Sequence, residues 1–331
     1  MEYTKLIYSR DGIDIDYNAN EKNKETVFFL DEQNKIIQLR TFNCAIYPNP
    51  SQLDSLLGEA DSKNTVYLEN GFLFYAYRYQ VSFVHYMTQT VPKLYDYIRH
   101  HMADTKLLIP KHDYNHLCRN ILDLVGIPET NIVLLEDATF YRIGRFVKSV
   151  TYLAPPSSFT KSHVEIYNMI RRTLCIQPST KHRLIYLQRD GFPSPEFNNS
   201  ETGSKRVMFN EPEFVEKLRA IGFEIVTLGN KTIEQKHQLL SDAYVIITPL
   251  GANAFNLVFT NAPKHVVFLS NDRNFGENYY PSLSEVLNSE KIQTHTFRYP
   301  SVNSDPLNYW NASFTINIDE VLNYINKICA R

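Results

Sequence analysis

The sequence predicts an α/β fold of two Rossmann-like domains facing a central cleft, and three observations carry that prediction. From Ser82 onward, short apolar strand runs alternate with stretches of helical period, the pattern of strand–helix crossovers in a largely parallel sheet. The alternation stops at Pro155-Pro156-Ser157-Ser158, a linker composition, and restarts at Arg183-Leu-Ile-Tyr-Leu187. The third observation is AYVIITPLGANAFNLVF, residues 243–259, where an apolar run empties through Thr248-Pro249-Leu250 into Gly251-Ala252-Asn253 and a helix start. Such a joint turns opening backbone N–H groups toward the carboxyl edge of the sheet, where α/β proteins bind phosphate. A glycine that merely relieves crowding at the same joint is the competing reading.

In chain order, β-type alternation with turns predicts strands at 26–30, 36–39, 65–68 and 72–76. From Ser82, a suitable N-cap, Phe83, Met87, Val91, Leu94 and Ile98 recur at helical spacing. Their stripe leaves His85, Gln89 and Asp96 on the other face, and Pro92, lacking an N–H, kinks the helix. Strand 106–109, helix 114–124, a stop at Gly126-Ile127-Pro128, strand 132–135 and further strands through 145–153 follow. Beyond the linker come helix 161–175 and strand 183–187, then a polar loop at 190–205. Helix 211–221, strand 224–227, helix 232–241, strand 243–248, helix 252–259 and strand 265–269 complete the second alternation. Helix 319–328 closes the chain and is long enough to lie across both domains. The expected domains are 1–156 and 157–318, with 319–331 as the returning helix.

Composition bounds the function. A chain of 331 residues with 43% apolar residues and 11 Gly is that of a globular protein with room for two cores. A net charge of −2 with scattered basic residues gives no nucleic-acid footprint. No apolar run approaches the roughly 20 residues of a membrane span, and the opening MEYTKLIYSRDGIDIDY is charged where a leader peptide is apolar. Cys44, Cys118, Cys175 and Cys329 fit neither zinc nor disulfide spacing, so the expectation is a cytoplasmic protein with reduced thiols. The Asn-x-Ser/Thr triplets at Asn198, Asn230 and Asn311 would then carry no sugar. Asp14-Ile15-Asp16, an acidic pair in what reads as an N-terminal loop, is taken as chance rather than a metal motif.

Several segments acquire more meaning in order. They are His85-Tyr86 with Val91-Pro92-Lys93-Leu94, Tyr186-Leu187-Gln188-Arg189, Lys205-Arg206 with Asn210-Glu211, Gly222-Phe223, Gln235, and Gly251-Ala252 with Asn256 and Phe259. Together, over about 83–269 and with a weaker echo at 314–319, they resemble glycosyltransferase family 61. The resemblance implies a GT-B architecture and inverting transfer from a nucleotide-sugar donor, most simply a UDP-sugar, without an essential metal or other cofactor. The implied acceptor is a hydroxyl of a glycan, polysaccharide or protein. The chain departs from the family pattern at Leu250, where a His is usual, and at Gln89 and Phe268, where acids are usual.

Under that resemblance the leaving diphosphate needs positive charge, and a metal-free site supplies it from arginine and backbone N–H groups. Arg189 at a strand end is the leading bidentate contact, with a solvated strand-end arginine as its plain alternative. Lys205 and Arg206 are reserves or surface residues, and Gln235 and Lys236 help from one element earlier or lie exposed. Thr248, Gly251, Ala252, Asn253 and Asn256 form the donor cradle; with Leu250 in place of histidine, amides and Asn256 carry more of it. Asn210 is better read as the cap of the helix that follows. On the acceptor side, His85 is the candidate general base, with Tyr86 and Gln89 beside it. Tyr75, Tyr77, Tyr79 and Tyr86 offer a sugar-stacking platform or, more simply, core. Two other functions compete: a catalytically altered nucleotide- or glycan-binding protein, and another GT-B-shaped enzyme such as a pyruvyl transferase or nucleotide-sugar epimerase.

Overall fold

The computed structural model describes residues 4–16, 22–31, 33–35, 47–61, 65–74, 83–147, 159–174, 182–189, 207–229, 231–260, 264–272, 280–289, 291–302 and 312–330. The expected strand at 36–39, the linker at 155–158 and the polar loop at 190–205 lie outside them. Two compact units divide the chain: Met1–Pro156 with Thr160–Ile170, and Ser157–Phe159 with Arg171–Arg331.

The first unit holds β1 (Thr4–Asp16), β2 (Lys22–Leu30), β3 (Tyr47–Pro48), α1 (Pro50–Asp61), β4 (Val66–Leu73) and α2 (Phe83–His85). It continues with α3 (Lys93–His100), β5 (Lys106–Pro110), α4 (His116–Leu124), β6 (Ile132–Leu135) and β7 (Thr139–Val147). The next helix, α5 (Lys161–Leu174), contains the division between the units, so its first turns belong here and not to the second domain as expected. The strand order is β2-β1-β7-β4-β5-β6, with β3 on β1. β4 runs parallel to both β7 and β5, and β5 to β6, while β1 is antiparallel to its neighbours. The connections from β4 go outward through β5 and β6, then return to β7 on the other side of β4. That reversal makes a topological switch point at the carboxyl ends of β4 and β7.

Three expectations are corrected here. The segment read as an N-terminal loop is β1, and Asp14 and Asp16 stand opposite Lys24 and Lys22 in its ladder. The strands expected at 65–68 and 72–76 are the single strand β4. Glycine stands at position 71 within that strand because a Cβ there would come 2.8 Å from Leu108 Cδ1 and 3.1 Å from Ile143 Cγ2. Helix α1 was not anticipated, although Leu53, Leu56, Leu57 and Ala60 recur at helical spacing and cover Ile7, Phe28 and Phe140. On the other sheet face Leu6, Tyr8, Leu108, Tyr141 and Ile143 form a second core, as strand alternation requires.

The second unit is simpler. Its elements are β8 (Arg183–Leu187), α6 (Glu211–Ala220), β9 (Glu224–Val226), α7 (Ile233–Ser241), β10 (Ala243–Pro249), β11 (His265–Asn271), α8 (Tyr280–Ser289) and β12 (Gln293–Tyr299). A short pair, β13 (Ser301–Val302) and β14 (Ser313–Phe314), precedes α9 (Ile318–Cys329). The five-stranded sheet is parallel throughout, in the order β12-β11-β10-β8-β9. Counted from β8, this is the doubly wound order 2-1-3-4-5, whose switch point lies between β8 and β10. Its core runs from Tyr186, Val245 and Val267 to Phe214 and Leu218 of α6 and Val321 and Ile325 of α9. The tail helix therefore contributes to this core. Among the described residues no helix is long and apolar enough to cross a membrane.

Candidate active site

The switch point of the second unit brings together what the sequence held apart. β8 ends at Leu187, and Gln188 extends it by one hydrogen bond to Val226 O, leaving Arg189 at the carboxyl edge. β10 ends beside it at Pro249 and delivers Leu250 and Gly251. The Arg189 guanidinium donates through Nη2 to Leu250 O at 2.6 Å. It lies over Gly251, where a Cβ would stand 2.7 Å from Nη2 and 3.2 Å from Cζ. The backbone of Gly251 is extended, at φ 168°, so conformational freedom is not why glycine is there. The two readings of this glycine meet: it relieves crowding, and the group that crowds it is the candidate phosphate ligand.

The helix expected at 252–259 is present with those bounds and has 3-10 geometry, Ala252–Phe259. Asn253 Nδ2 donates to Gln188 O at 2.9 Å, tying the helix start to the end of β8. Asn256 Nδ2 donates to Asn253 O at 3.1 Å. Asn256 is only 3% exposed, and its Oδ1 has no hydrogen-bond donor among the described residues. Thr248 is buried and its hydroxyl turns to Pro249 O, while Ala252 is exposed. The opening N–H groups of a helix have no intrahelical carbonyl, and Gly251 provides no side-chain cap. At its far end the helix is fixed by His237 of α7, bonded to Phe259 O, and by Arg171 Nη1, which donates to Thr260 O at 3.3 Å.

Around this edge, Tyr186 donates to Glu211 Oε1 at 2.7 Å; burial and the nearby carboxylate push the phenol well above its ordinary pKa, and the Arg189 charge acts the other way. Asn210, expected to cap α6, makes no side-chain cap. Its amide instead brackets Ile316, donating to Ile316 O at 2.9 Å and accepting from Ile316 N at 3.1 Å. Gln235 is exposed and closes a capping box on α7, accepting from Thr232 N at 3.0 Å while Thr232 Oγ1 accepts from Gln235 N. Lys205 and Arg206 lie outside the described residues. A shallow depression of about 720 Å³ bordered by His182, Arg183 and Glu224 sits at the opposite, amino-terminal edge of the sheet. There Arg183 is engaged by Glu224, with an Nε–Oε1 distance of 2.7 Å. Doubly wound sheets bind ligands at the carboxyl edge, which places the candidate site at Arg189.

The first unit also carries its candidate segment after a switch-point strand. β4 leads toward α2, whose last residue is His85; the His85 side chain lies outside the described residues, as do Tyr75, Tyr77 and Tyr79. The expected continuous helix is broken. A π-helical turn occupies Tyr86–Thr90, and Pro92 stands at the N-cap of α3. Gln89 is half-buried. Tyr86 is a core residue at 7% exposure, edge-on to Phe74, and burial with its neighbours Cys118 and Asp113 raises its pKa well above the usual phenol value. It therefore offers no open face to a sugar. Lys93, beside Pro92, is 5% exposed, and burial lowers its amine to about 8 against the opposing pull of Asp113.

No curated protein matches the chain. A family profile described as Glycosyltransferase 61 matches residues 83–267, from the start of α2 into β11, and so takes in both candidate segments and Arg189. The match covers more than half of the 331 residues. The chain belongs to glycosyltransferase family 61.

Proposed function

We propose that this glycosyltransferase is an inverting, metal-independent, GT-B-like enzyme that moves a sugar from a UDP-sugar to a hydroxyl of a glycan, polysaccharide or protein. The observation that carries the reading is Arg189, held by Leu250 O over Gly251 at the switch point, beside the opening N–H groups of the 252–259 helix. A guanidinium and uncapped amides at one sheet edge suit a diphosphate whose charge grows as it leaves. In the proposed step the acceptor oxygen attacks the anomeric carbon from the face opposite the diphosphate. Its proton passes to a general base, for which His85 is the candidate. The bond from the anomeric carbon to the phosphate oxygen breaks, and the electron pair leaves on the nucleoside diphosphate facing Arg189. Asn253 and Asn256 hold the cradle in shape.

A panel of nucleotide sugars, scored by release of nucleoside diphosphate, tests the reading. At least one donor is expected to be turned over, with Arg189→Ala lowering the rate on the order of 100-fold to 1,000-fold. Activity is expected to survive EDTA; strict dependence on an added divalent cation overturns the metal-free mechanism. One observation favours a second reading, a binding protein without turnover. Leu250 stands where the family pattern has histidine; its side chain is buried, and what it offers Arg189 is its backbone carbonyl. Tight binding of a nucleoside diphosphate with no release from any donor selects that reading.

A further inference from the structure

The π-helical turn of the first unit poses an accounting problem that its neighbours solve. In an α-helix, Met87 O would accept from residue 91 and Thr88 O from residue 92. Val91 N instead donates to Tyr86 O at 3.0 Å, the bond that defines the π-turn. Residue 92 is proline and has no N–H. Two backbone carbonyls are therefore deprived of their helical donors, and both residues are fully buried at 0% exposure. Buried carbonyls without partners are rare because each costs about 1–3 kcal/mol.

Helix α5 supplies both donors. Tyr167 Oη donates to Met87 O at 2.8 Å, and His163 Nε2 lies 2.7 Å from Thr88 O. The histidine tautomer follows from its other nitrogen, which accepts from Thr160 N at 3.1 Å, so Nε2 carries the proton and donates. Both side chains are fully buried and lie four residues apart on one helix face. Ser162 adds a third link, donating to Asp96 Oδ1 of α3 at 3.3 Å. The turn is thus held from outside, by a helix remote in sequence, at the two points where its own hydrogen bonding fails.

We propose that His163 and Tyr167 are positioning residues for sugar transfer: they fix the π-turn that follows His85 and carries Gln89, and turnover depends on them although neither touches substrate. The proposal rests on the transferase reading with its acceptor side at this segment. Donor binding belongs to residues of the second unit, so loss of the clamp acts on turnover and not on donor affinity.

The test uses the full chain with a donor that wild type turns over. Tyr167→Phe keeps the ring and removes the donor to Met87 O. A kcat lowered on the order of 10-fold to 100-fold, an unchanged donor KM, and faster amide exchange confined to the peptide containing residues 86–94 are expected. A second pair, His163→Gln and His163→Leu, covers the case of a Tyr167→Phe chain that fails to fold. Glutamine retains an N–H for Thr88 O and is expected to keep more turnover than leucine when both melt as cooperatively as wild type. Wild-type kcat in Tyr167→Phe, or equal losses in the two His163 variants, overturns the positioning role while leaving the transferase reading intact. A wild-type chain that turns over no donor overturns the transferase reading, and the positioning role falls with it.

Discussion

Each unit follows its switch-point strand with a helix that departs from α geometry, and the two departures are resolved in opposite ways. After β4 the π-turn Tyr86–Thr90 has carbonyls that lack helical donors, and α5 satisfies them from inside the protein with Tyr167 and His163. After β10 the 3-10 helix Ala252–Phe259 is braced at its start by Asn253 and at its end by His237. Its opening N–H groups, however, have only the uncapped Gly251 before them, with a guanidinium alongside. Where the protein completes its own hydrogen bonds, the segment is being positioned. Where it gathers donors at a sheet edge, the proposed function has them meet the donor's diphosphate.

Predictions can break or sharpen that contrast. The largest effect is expected at Arg189, as above, because under the proposed function removing it takes from the leaving group the guanidinium that stands over Gly251. Next is Gly251→Ala. The new methyl would meet the guanidinium at 2.7 Å, and a flexible side chain yields before the backbone does. Turnover is expected to fall about tenfold with little change in Tm; a Tm collapse would show that the backbone gives way instead. A smaller effect concerns stability against pH. Burial lowers the pKa of His163 to about 4, with its bond to Thr88 O acting the other way, whereas an unfolded histidine titrates near about 6.5. Between those values the unfolded chain binds more protons, so the contribution is complete above about pH 6.5 and is lost as pH falls toward 4. Melts at about pH 7 and about pH 5 should show a larger fall in Tm for wild type than for His163→Gln; equal falls would remove His163 from this account. The smallest effect is at Gln235→Ala. Loss of half a capping box should cost about 0.5–1 kcal/mol, and a raised donor KM would instead show that the side chain reaches the donor.

Much of this was legible in the residues. Strands 183–187 and 132–135 were read with their observed bounds because both are short, largely apolar runs set between turn residues. The 252–259 helix was placed with its observed bounds but not typed, since period alone does not distinguish i→i+3 from i→i+4 bonding over two turns. β1 was missed because Arg10, Asp11 and Gly12 interrupt its alternation, and the structure shows a register shift between Tyr8 and Ile13 there. Arg189 and Gly251 were each singled out, yet their contact was not readable. It depends on β10 returning to lie beside β8 with β9 outside, which is a property of strand order and leaves no local pattern. His163 was passed over because a histidine among apolar helix positions is ordinary; its role emerges only once Pro92 is seen to have deprived Thr88 of a donor.

The contact between Arg189 and Gly251 also bears on how such sites are recognised in other chains. Gly251 has an extended backbone that any residue adopts, so the space taken by the arginine alone dictates its size. The two positions are sterically coupled. A chain with a short residue at the first is released from glycine at the second, and a chain with glycine alone has kept the vacancy without its occupant. A search pattern for this cradle should therefore score the pair jointly, across the 61 residues that lie between Arg189 and Gly251, and give the glycine no weight by itself.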